Sequence, residues 1–464
     1  MQEIIIIGGG LAGSEAALQI AKRKIKAKLY EMKPAKFSDA HSNENLAEIV
    51  CSNSFKSNLL TNACGLLKEE LRILESELIK IADDNSVPAG QALAVDREKF
   101  AELVTKKIEE NEYIEVIREE VTDIPKNAIV IIATGPLTSE KLSKKISDLT
   151  GKDKLYFYDA AAPIVEKDTI DMNIAFYGDR YREEKGKDEE YDMWLERIKN
   201  EEASYINLPM NKEEYDSFYQ ELINAEIVTL HEFEKREIFE GCMPIEIMAK
   251  RGIDTLRFGP LKPVGFDDPR TGRRPYAVVQ LRQDNKEGNL YNIVGFQTNL
   301  KFGEQKRVFS MIPGLQNANF VKYGVMHRNT YINSTKILDD TYNYKENRNI
   351  FFAGQITGVE GYVESISSGF VAGINAVNLY NIYEKNKEEN DINRIFDIYE
   401  KEKKTFSNYT VIGSLAKYIS TENEKFQPMN ANFGILPVLD EKIKDKKIKY
   451  KMMAERSLKA LKNG

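Results

Sequence analysis

Near its start the chain reads Glu3-Ile4-Ile5-Ile6-Ile7-Gly8-Gly9-Gly10-Leu11-Ala12-Gly13. The isoleucine run at 4–7 predicts a strand that is buried on both faces, because a strand with one exposed face alternates apolar and polar residues. After the glycines, an alanine-rich stretch at 14–21 has apolar residues at helical spacing, and a second strand is expected at 26–31. The order strand, glycine turn, helix and strand is typical of a Rossmann-like α/β fold.

The glycine turn has the spacing of a dinucleotide-binding site. Gly8 permits a tight turn, Gly10 lets the backbone approach a pyrophosphate, and Gly13 allows close contact between helix and strand. The start of the helix adds free N–H groups and the positive end of the helix dipole. Glu31, which ends the second strand, is placed to accept hydrogen bonds from ribose hydroxyls. The predicted cofactor residues of this turn are Gly8, Gly9, Gly10, Leu11, Ala12, Gly13 and Glu31; the alternative is a tight turn without a ligand.

Two later segments repeat the pattern of a buried strand that ends in glycine. One strand is expected at 128–132 and another at 349–353, the latter followed by a helix of small residues that runs through Asn378. In two-dinucleotide flavoproteins such a late helix closes over the flavin, which favours FAD over a nicotinamide as the bound cofactor. An ordinary packed helix is the alternative. The further cofactor residues predicted here are Gly135, Gly354, Gln355 and Gly361.

These strands lie at both ends of the chain, which predicts a discontinuous cofactor domain of the two-dinucleotide flavoprotein type. Its two parts are expected at 1–160 and 326–464. An inserted α+β domain on the substrate side is expected between them, at 161–325, where the alternation of strand and helix is less regular.

The composition excludes several classes of protein. Of 464 residues, 42% are hydrophobic and 30% charged, as in globular rather than disordered or collagen-like chains. The net charge of −7 does not suggest a nucleic-acid binder. However, residues 250–282 hold eight Lys or Arg against three Asp, and residues 441–464 hold nine against three acidic residues. These segments are either a footprint for phosphate backbones or a solvated loop and a basic helix.

The three cysteines are Cys51, Cys64 and Cys242, and the three histidines are His41, His231 and His327. No Cys-x-x-Cys pair occurs, which excludes a disulfide framework and the usual structural zinc sites, and the histidines share no ligand spacing with the cysteines. We therefore expect no metal and a reducing cytoplasm. No apolar run approaches the ~18 residues that cross a bilayer, so no membrane association is expected.

Two of the cysteines stand in settings that suit chemistry. Cys51 lies in a polar, loop-like stretch with Lys56 nearby, a cation of the kind that lowers a thiol pKa, and Cys242 lies on a turn before Pro244. A small buried hydrophobic residue is the ordinary alternative for a single cysteine, and we adopt it for Cys64.

With these features the chain resembles the folate- and FAD-dependent tRNA (uracil-5-)-methyltransferases nearly end to end. The same fold occurs in the tRNA wobble-uridine flavoproteins, which lack this arrangement of cysteines. The matching blocks are Gly9 to Ala17, Cys51-Ser52-Asn53-Ser54-Phe55, Phe239 to Glu246, Asp254 to Pro260, Arg273 to Arg282, Gly358 to Ser365 and Phe426 to Gly434.

The resemblance implies methylation of uracil C5 in RNA without S-adenosylmethionine, with the T-loop uridine of tRNA as the first choice of target. Methylenetetrahydrofolate would supply the carbon, reduced FAD the reducing equivalents, and NADH or NADPH would recharge the flavin. Because uracil C5 becomes nucleophilic only after a thiolate adds at C6, the resemblance assigns Cys242 as nucleophile and Cys51 as the base, with the roles exchangeable. The resemblance also makes Tyr362 a cofactor-binding candidate. The substrate or RNA candidates are Arg257, Arg273, Arg274 and Arg282.

Two departures from the family leave the RNA target open. Leu208 stands where relatives commonly carry cysteine, and the charged stretch 180–202 is longer than in the family pattern. A large-subunit rRNA uridine is therefore an alternative target for the same chemistry. Two alternatives of other classes are a flavin oxidoreductase that acts on a small molecule and an RNA-binding flavoprotein without catalysis.

Overall fold

The computed structural model describes residues 3–38, 40–151, 155–180, 203–228, 243–268, 270–424 and 426–462. Cys242 and residues 181–202 of the charged stretch 180–202 therefore lie outside the described residues.

The first sheet is parallel and has five strands in the order β16-β7-β1-β2-β6. Its strands are β1 (Glu3–Ile7), β2 (Ala27–Tyr30), β6 (Ile114–Ile117), β7 (Ala128–Ile132) and β16 (Ile350–Phe352). β1 pairs with both β2 and β7, and β16 adds to the far side of β7. The predicted Rossmann-like α/β class is thus confirmed, and strands from both ends of the chain share one sheet.

Two helices of small residues pack together beside this sheet. They are α1 (Leu11–Lys22) and α11 (Tyr362–Lys385). A Cβ atom on Gly13 would lie 1.9 Å from the carbonyl oxygen of Gly8, so only glycine lets α1 approach β1 this closely. The later helix extends to Lys385 rather than ending at Asn378, because Leu379 and Ile382 continue its buried face.

The second large sheet has six strands in the order β10-β11-β12-β13-β9-β14, paired in antiparallel fashion. The strands are β9 (Ile164–Glu166), β10 (Phe176–Tyr177), β11 (Tyr205–Met210), β12 (Ala277–Gln283), β13 (Leu290–Ile293) and β14 (Phe320–Lys322). Helices α6 (Lys212–Asn224), α7 (Ile245–Ala249), α8 (Thr255–Phe258) and α9 (Phe302–Phe309) accompany it. Its core is a hydrophobic cluster separate from that of the parallel sheet.

Smaller elements connect the two sheets and cover the first. β3 (Ser54–Ser57), β4 (Ser86–Val87) and β5 (Ala92–Val95) form a three-stranded sheet, and β8 (Leu155–Ala160) pairs with β15 (Met326–Tyr331). The remaining helices are α2 (Ala63–Ile73), α3 (Glu77–Asp84), α4 (Arg97–Glu109), α5 (Glu140–Thr150), α10 (Ser334–Ile337), α12 (Ile392–Glu402), α13 (Val411–Ser420) and α14 (Lys446–Lys462). Among the residues described, no helix combines the length and apolar character that a membrane span requires.

Candidate active site

A cavity that is partly open to solvent lies at the carboxyl ends of β1 and β7. Most of the predicted cofactor residues line it: Gly8, Gly9, Gly10, Leu11, Ala12, Glu31, Gly135, Gly354, Gln355 and Tyr362. Gly13 and Gly361 stand outside this lining, Gly13 behind the turn against Gly8. The sequence motifs therefore come together around one cavity, although they are spread over more than 350 residues.

Glu31 is fixed by the backbone around the glycine turn. Its carboxylate accepts a hydrogen bond from the N–H of Gly9 at 3.0 Å and one from the N–H of Lys33 at 3.0 Å. The side chain is buried, and it lines the cavity. The carboxylate is thus held at the edge of the turn, where the sequence predicted an acceptor for ribose hydroxyls.

The glycine turn leaves room for a ligand with phosphate groups. A Cβ atom added to Gly10 or to Gly135 would meet no atom of the chain within 4 Å, so the backbone at both residues faces open space. The start of α1 directly follows Gly10, and its unpaired N–H groups favour anions. The residues present therefore fit a dinucleotide that runs across the turn.

A polar cluster at the cavity wall was missed by sequence reasoning, which considered His41 only as a metal ligand. Lys33 Nζ lies 3.2 Å from a carboxylate oxygen of the buried Glu48, and both residues line the cavity with His41. Burial, and then the charge of Lys33, lower the pKa of His41. The available signal was the long polar stretch between β2 and β3, since connections of that length are commonly functional.

Cys51 is half-buried and lies beside the N-terminal end of α11. The backbone N–H groups of Cys51 and Ser52 both donate to the Tyr362 hydroxyl oxygen at 3.0 Å, and the Cys51 thiol lies 3.4 Å from the carbonyl oxygen of Ala160. Burial, with the neighbouring Cys51 thiol, raises the pKa of Tyr362 well above its usual value. Tyr362 and Val50 line the cavity, so the Cys51 loop adjoins the space where the dinucleotide fits.

Charged residues from three distant segments meet behind the Cys51 loop. Arg97 lies 2.6 Å from Asp284 in a buried ion pair. Lys322 is close enough to Arg97 for that charge to act on it, and burial followed by Arg97 lowers the Lys322 pKa. Sequence reasoning missed all three residues, because no local pattern shows that these segments meet.

The four arginines predicted for substrate or RNA separate into two places. Arg282 is only 7% exposed, and its guanidinium donates to Asn53 Oδ1 at 3.0 Å and to Ser52 Oγ at 2.6 Å. Arg282, on strand β12, therefore holds the Cys51 loop in place through its contacts with Ser52 and Asn53. The remaining candidates lie at the surface of the second sheet: Arg257 is partly exposed, and Arg273 and Arg274 are exposed.

Leu208 has a structural explanation. It is fully buried in the core of the six-stranded sheet, opposite Val279 of β12. A leucine at this position packs against apolar neighbours, so the side chain needs no role in the reaction.

The chain is similar to known proteins over most of its length. A family model described as "Glucose inhibited division protein A" matches residues 3–384. The "Methylenetetrahydrofolate--tRNA-(uracil-5-)-methyltransferase TrmFO" of Acetivibrio thermocellus is 57% identical over 460 residues, 99% of this chain and 98% of that protein. The protein of the same name from Fusobacterium nucleatum subsp. nucleatum is 56% identical over 462 residues, 100% of this chain and 98% of that protein.

A solved structure shares the fold. Aquifex aeolicus GidA, in its form II crystal, has a TM-score of 0.65 with this chain at 18% sequence identity. The similarity covers 99% of this chain and 73% of that chain.

Proposed function

The chain belongs to the TrmFO family of methyltransferases, within the wider glucose inhibited division protein A family, and we propose that it methylates C5 of a uridine in tRNA with methylenetetrahydrofolate as the carbon donor. The observation that carries the proposal is the position of Cys51. Its loop, fixed by Tyr362, adjoins the cavity that the glycine turn lines. A thiol beside a dinucleotide cavity suits a reaction that needs both a redox cofactor and a proton acceptor.

FAD is the dinucleotide that we assign to the cavity. Gly8, Gly9, Gly10 and Gly135 would hold the phosphates, Glu31 the ribose, and the N-terminal end of α11 the ring. When bound, the flavin would supply the electrons that convert the transferred methylene group into a methyl group. NADH or NADPH is the reductant that we propose for recharging it.

The proposed chemistry of the chain's own residues uses two thiols. Cys242 adds as a thiolate to uracil C6, which places negative charge at C5 and O4 and makes C5 nucleophilic. After C5 has bonded to the one-carbon unit, Cys51 removes the C5 proton and tetrahydrofolate leaves that unit as a methylene group on C5. A hydride from the reduced flavin would convert this group into a methyl group, and elimination of the Cys242 thiolate from C6 then restores the C5–C6 double bond. Tyr362 and Arg282 hold the Cys51 loop in position through hydrogen bonds to its backbone and side chains.

We retain the sequence-based division of the chain for this proposal. The FAD-binding domain is formed by 1–160 and 326–464, and the inserted domain, 161–325, faces the RNA. Support comes from the two separate hydrophobic clusters and from the exposed arginines of the inserted part. The cytoplasm is the compartment that fits a reduced thiol pair and an RNA substrate.

The test is a covalent trap. Holoenzyme with methylenetetrahydrofolate and tRNA that contains 5-fluorouridine should accumulate a protein–RNA adduct, because fluorine at C5 replaces the proton that the base must remove. The Cys242→Ala variant should form no adduct, whereas Cys51→Ala should still form it but lack turnover on normal tRNA. An undiminished adduct in Cys242→Ala would contradict the assigned nucleophile, and the opposite pattern would exchange the roles.

Cys64 provides the matched control. Its thiol is buried, and burial raises its pKa to about 11, so a thiolate is disfavoured at neutral pH. The Cys64→Ala variant should therefore retain both the adduct and the turnover.

A further inference from the structure

Phe258 is the most exposed large hydrophobic side chain among the residues that the structure describes. It ends α8 with 81% of its surface open to solvent. An aromatic ring in this state contributes almost nothing to the core, and exposed apolar surface of this kind marks interaction sites when its surroundings are shaped for a partner.

Arg257 and Tyr276 form a layer beside Phe258. The guanidinium carbon of Arg257 lies 3.5 Å from the centre of the Tyr276 ring and 5.9 Å from that of Phe258. Two hydrogen bonds hold the Arg257 guanidinium there: Nε donates to the carbonyl oxygen of Tyr276 at 3.1 Å, and an NH group donates to Asp254 at 2.6 Å. Tyr276 in turn makes an edge contact with the ring of Tyr215.

The surroundings carry positive charge. Lys250 and Arg251 precede α8 in the chain and are exposed, as are Arg273 and Arg274 just before Tyr276. Asp254, the nearest acidic residue along the chain, is engaged by Arg257. Proteins bind unpaired nucleotides with such a combination of an exposed ring, a guanidinium group and exposed cations. The ring stacks on a base, and the cations contact phosphates.

We propose that Phe258, supported by the Arg257–Tyr276 layer, stacks on an unpaired base of the RNA substrate. This inference rests on the proposed function. The charge complementarity favours RNA over an apolar protein partner as the occupant. Tyr276 directly precedes strand β12, and Arg282 near the end of that strand donates a hydrogen bond to the Cys51 loop. The six residue steps from Tyr276 to Arg282 span about 20 Å in an extended chain. The stacked base is therefore a second unpaired base of the same RNA and not the uridine that is methylated.

Binding and kinetics of the holoenzyme test the proposal. The Phe258→Ala variant should weaken the affinity for unmodified tRNA, and raise KM, by about 5- to 100-fold, because stacking on an aromatic side chain contributes that much per base. The single-turnover rate at saturating RNA should stay within about twofold of wild type, since the ring touches no reacting group. The Phe258→Trp variant should restore the affinity.

Controls separate stacking from charge and from folding. Phe302, also exposed and on another helix, stacks on Tyr323, and Phe302→Ala should leave the affinity unchanged. Arg273→Gln should weaken stem-loop and fully paired RNA alike and reduce the salt dependence, whereas Phe258→Ala should weaken only the stem-loop. Equal thermal midpoints and flavin content for Phe258→Ala and wild type exclude a folding defect.

A fluorescence readout reports the stacking directly. Trp194 is the only tryptophan of the chain, so Phe258→Trp in a Trp194→Phe background places one fluorophore at the site. Stem-loop RNA should quench it, and duplex RNA of equal length should not.

Unchanged tRNA affinity in Phe258→Ala, or equal quenching by both RNAs, would overturn the inference. Wild-type enzyme that neither binds nor methylates tRNA would instead overturn the proposed function. The two failures are thus distinguishable.

Discussion

One phenol oxygen positions the Cys51 loop. Tyr362 accepts hydrogen bonds from two consecutive backbone N–H groups, at Cys51 and Ser52, although it lies more than 300 residues away in sequence. The Tyr362 side chain is partly buried, and its raised pKa keeps the phenol neutral at physiological pH. The position of the Cys51 thiol relative to the cavity therefore depends in part on one side chain at the start of α11.

The Tyr362→Phe variant should lower kcat about tenfold while it retains the flavin. Removing the oxygen leaves two buried or half-buried N–H groups without an acceptor, and each lost hydrogen bond costs about 1 kcal/mol, which lets the loop move. Steady-state kinetics and the absorbance of the bound flavin measure the two effects. The exposed Tyr409 is the control, since Tyr409→Phe should change neither. Wild-type kcat in Tyr362→Phe would contradict the positioning role.

Two glycines of the turn should respond differently to the same substitution. Gly13→Ala places a Cβ atom 1.9 Å from the Gly8 carbonyl oxygen, so we expect a loss of about 1–3 kcal/mol in the free energy of unfolding of the apoprotein. Gly10→Ala meets open space and should leave that free energy unchanged while it weakens the binding of FAD. Urea unfolding and flavin titration distinguish the two effects; equal stability losses would contradict the packing assigned to Gly13.

At the scale of elements, a buried carboxylate joins three helices. Glu70 on α2 accepts hydrogen bonds from the N–H groups of Val411 at 2.8 Å and Ile412 at 2.9 Å, at the start of α13. Ser457 on α14 donates to the same carboxylate at 2.5 Å. Burial raises the pKa of Glu70 to about 7, against the lowering effect of these hydrogen bonds. The basic C-terminal helix is thus attached through a group that titrates near neutral pH.

Glu70 should make the protein less stable as the pH rises. The pKa of Glu70 is higher in the folded chain than its ordinary value of 4.5. The protonated carboxyl therefore adds to the free energy of unfolding in full below pH 4.5, and this stabilisation is lost as the pH rises through about 7. Between pH 5 and pH 8 we expect wild type to lose up to about 3 kcal/mol relative to Glu70→Gln, whose side chain does not titrate. Urea unfolding of both proteins at the two pH values measures the difference. Parallel pH dependence in the two proteins would refute the role of Glu70.

At the scale of the whole molecule, the six-stranded sheet meets the Cys51 loop through paired polar groups. Asn53 Nδ2 donates to the carbonyl oxygen of Gln283 at 2.9 Å, and the N–H of Lys286 donates to Asp96 at 2.8 Å. The buried Arg97–Asp284 ion pair lies at the same junction. The geometry of the Cys51 loop therefore depends on how the six-stranded sheet packs against the first part of the chain.

Breaking the Arg97–Asp284 ion pair should lower the free energy of unfolding, and the effects of the two single substitutions should not add up to that of the double variant. Arg97 is 12% and Asp284 3% exposed in their side chains, so Asp284→Ala leaves a buried guanidinium without its partner and should cost about 3–5 kcal/mol. The double variant Arg97→Met with Asp284→Leu should cost less than the sum of the single changes, because no charge remains buried. A double-mutant cycle by urea unfolding measures the coupling. Additive effects would show that the two charges act independently.

Sequence patterns predicted the parallel sheet well because its strands and glycine turns are local signals. The isoleucine run of β1 and the glycines after it require no knowledge of distant residues. The cluster of His41, Lys33 and Glu48 and the Arg97–Asp284 pair were missed, because each depends on how a loop folds back or on which segments meet. Arg282 shows a different kind of error. Its basic sequence neighbourhood predicted a contact with substrate or RNA, but on β12 the side chain lies in the interior.

The central claim is that this chain transfers the one-carbon unit of methylenetetrahydrofolate to uracil C5 in tRNA. The most direct measurement is mass spectrometry of nucleosides from tRNA and large-subunit rRNA after incubation with holoenzyme, NADH or NADPH, and methylenetetrahydrofolate with a ¹³C-labelled one-carbon unit. We expect ¹³C-labelled 5-methyluridine in tRNA, and no label when S-adenosylmethionine carries it instead. Label confined to rRNA, label from S-adenosylmethionine, or no 5-methyluridine in either RNA would contradict the account.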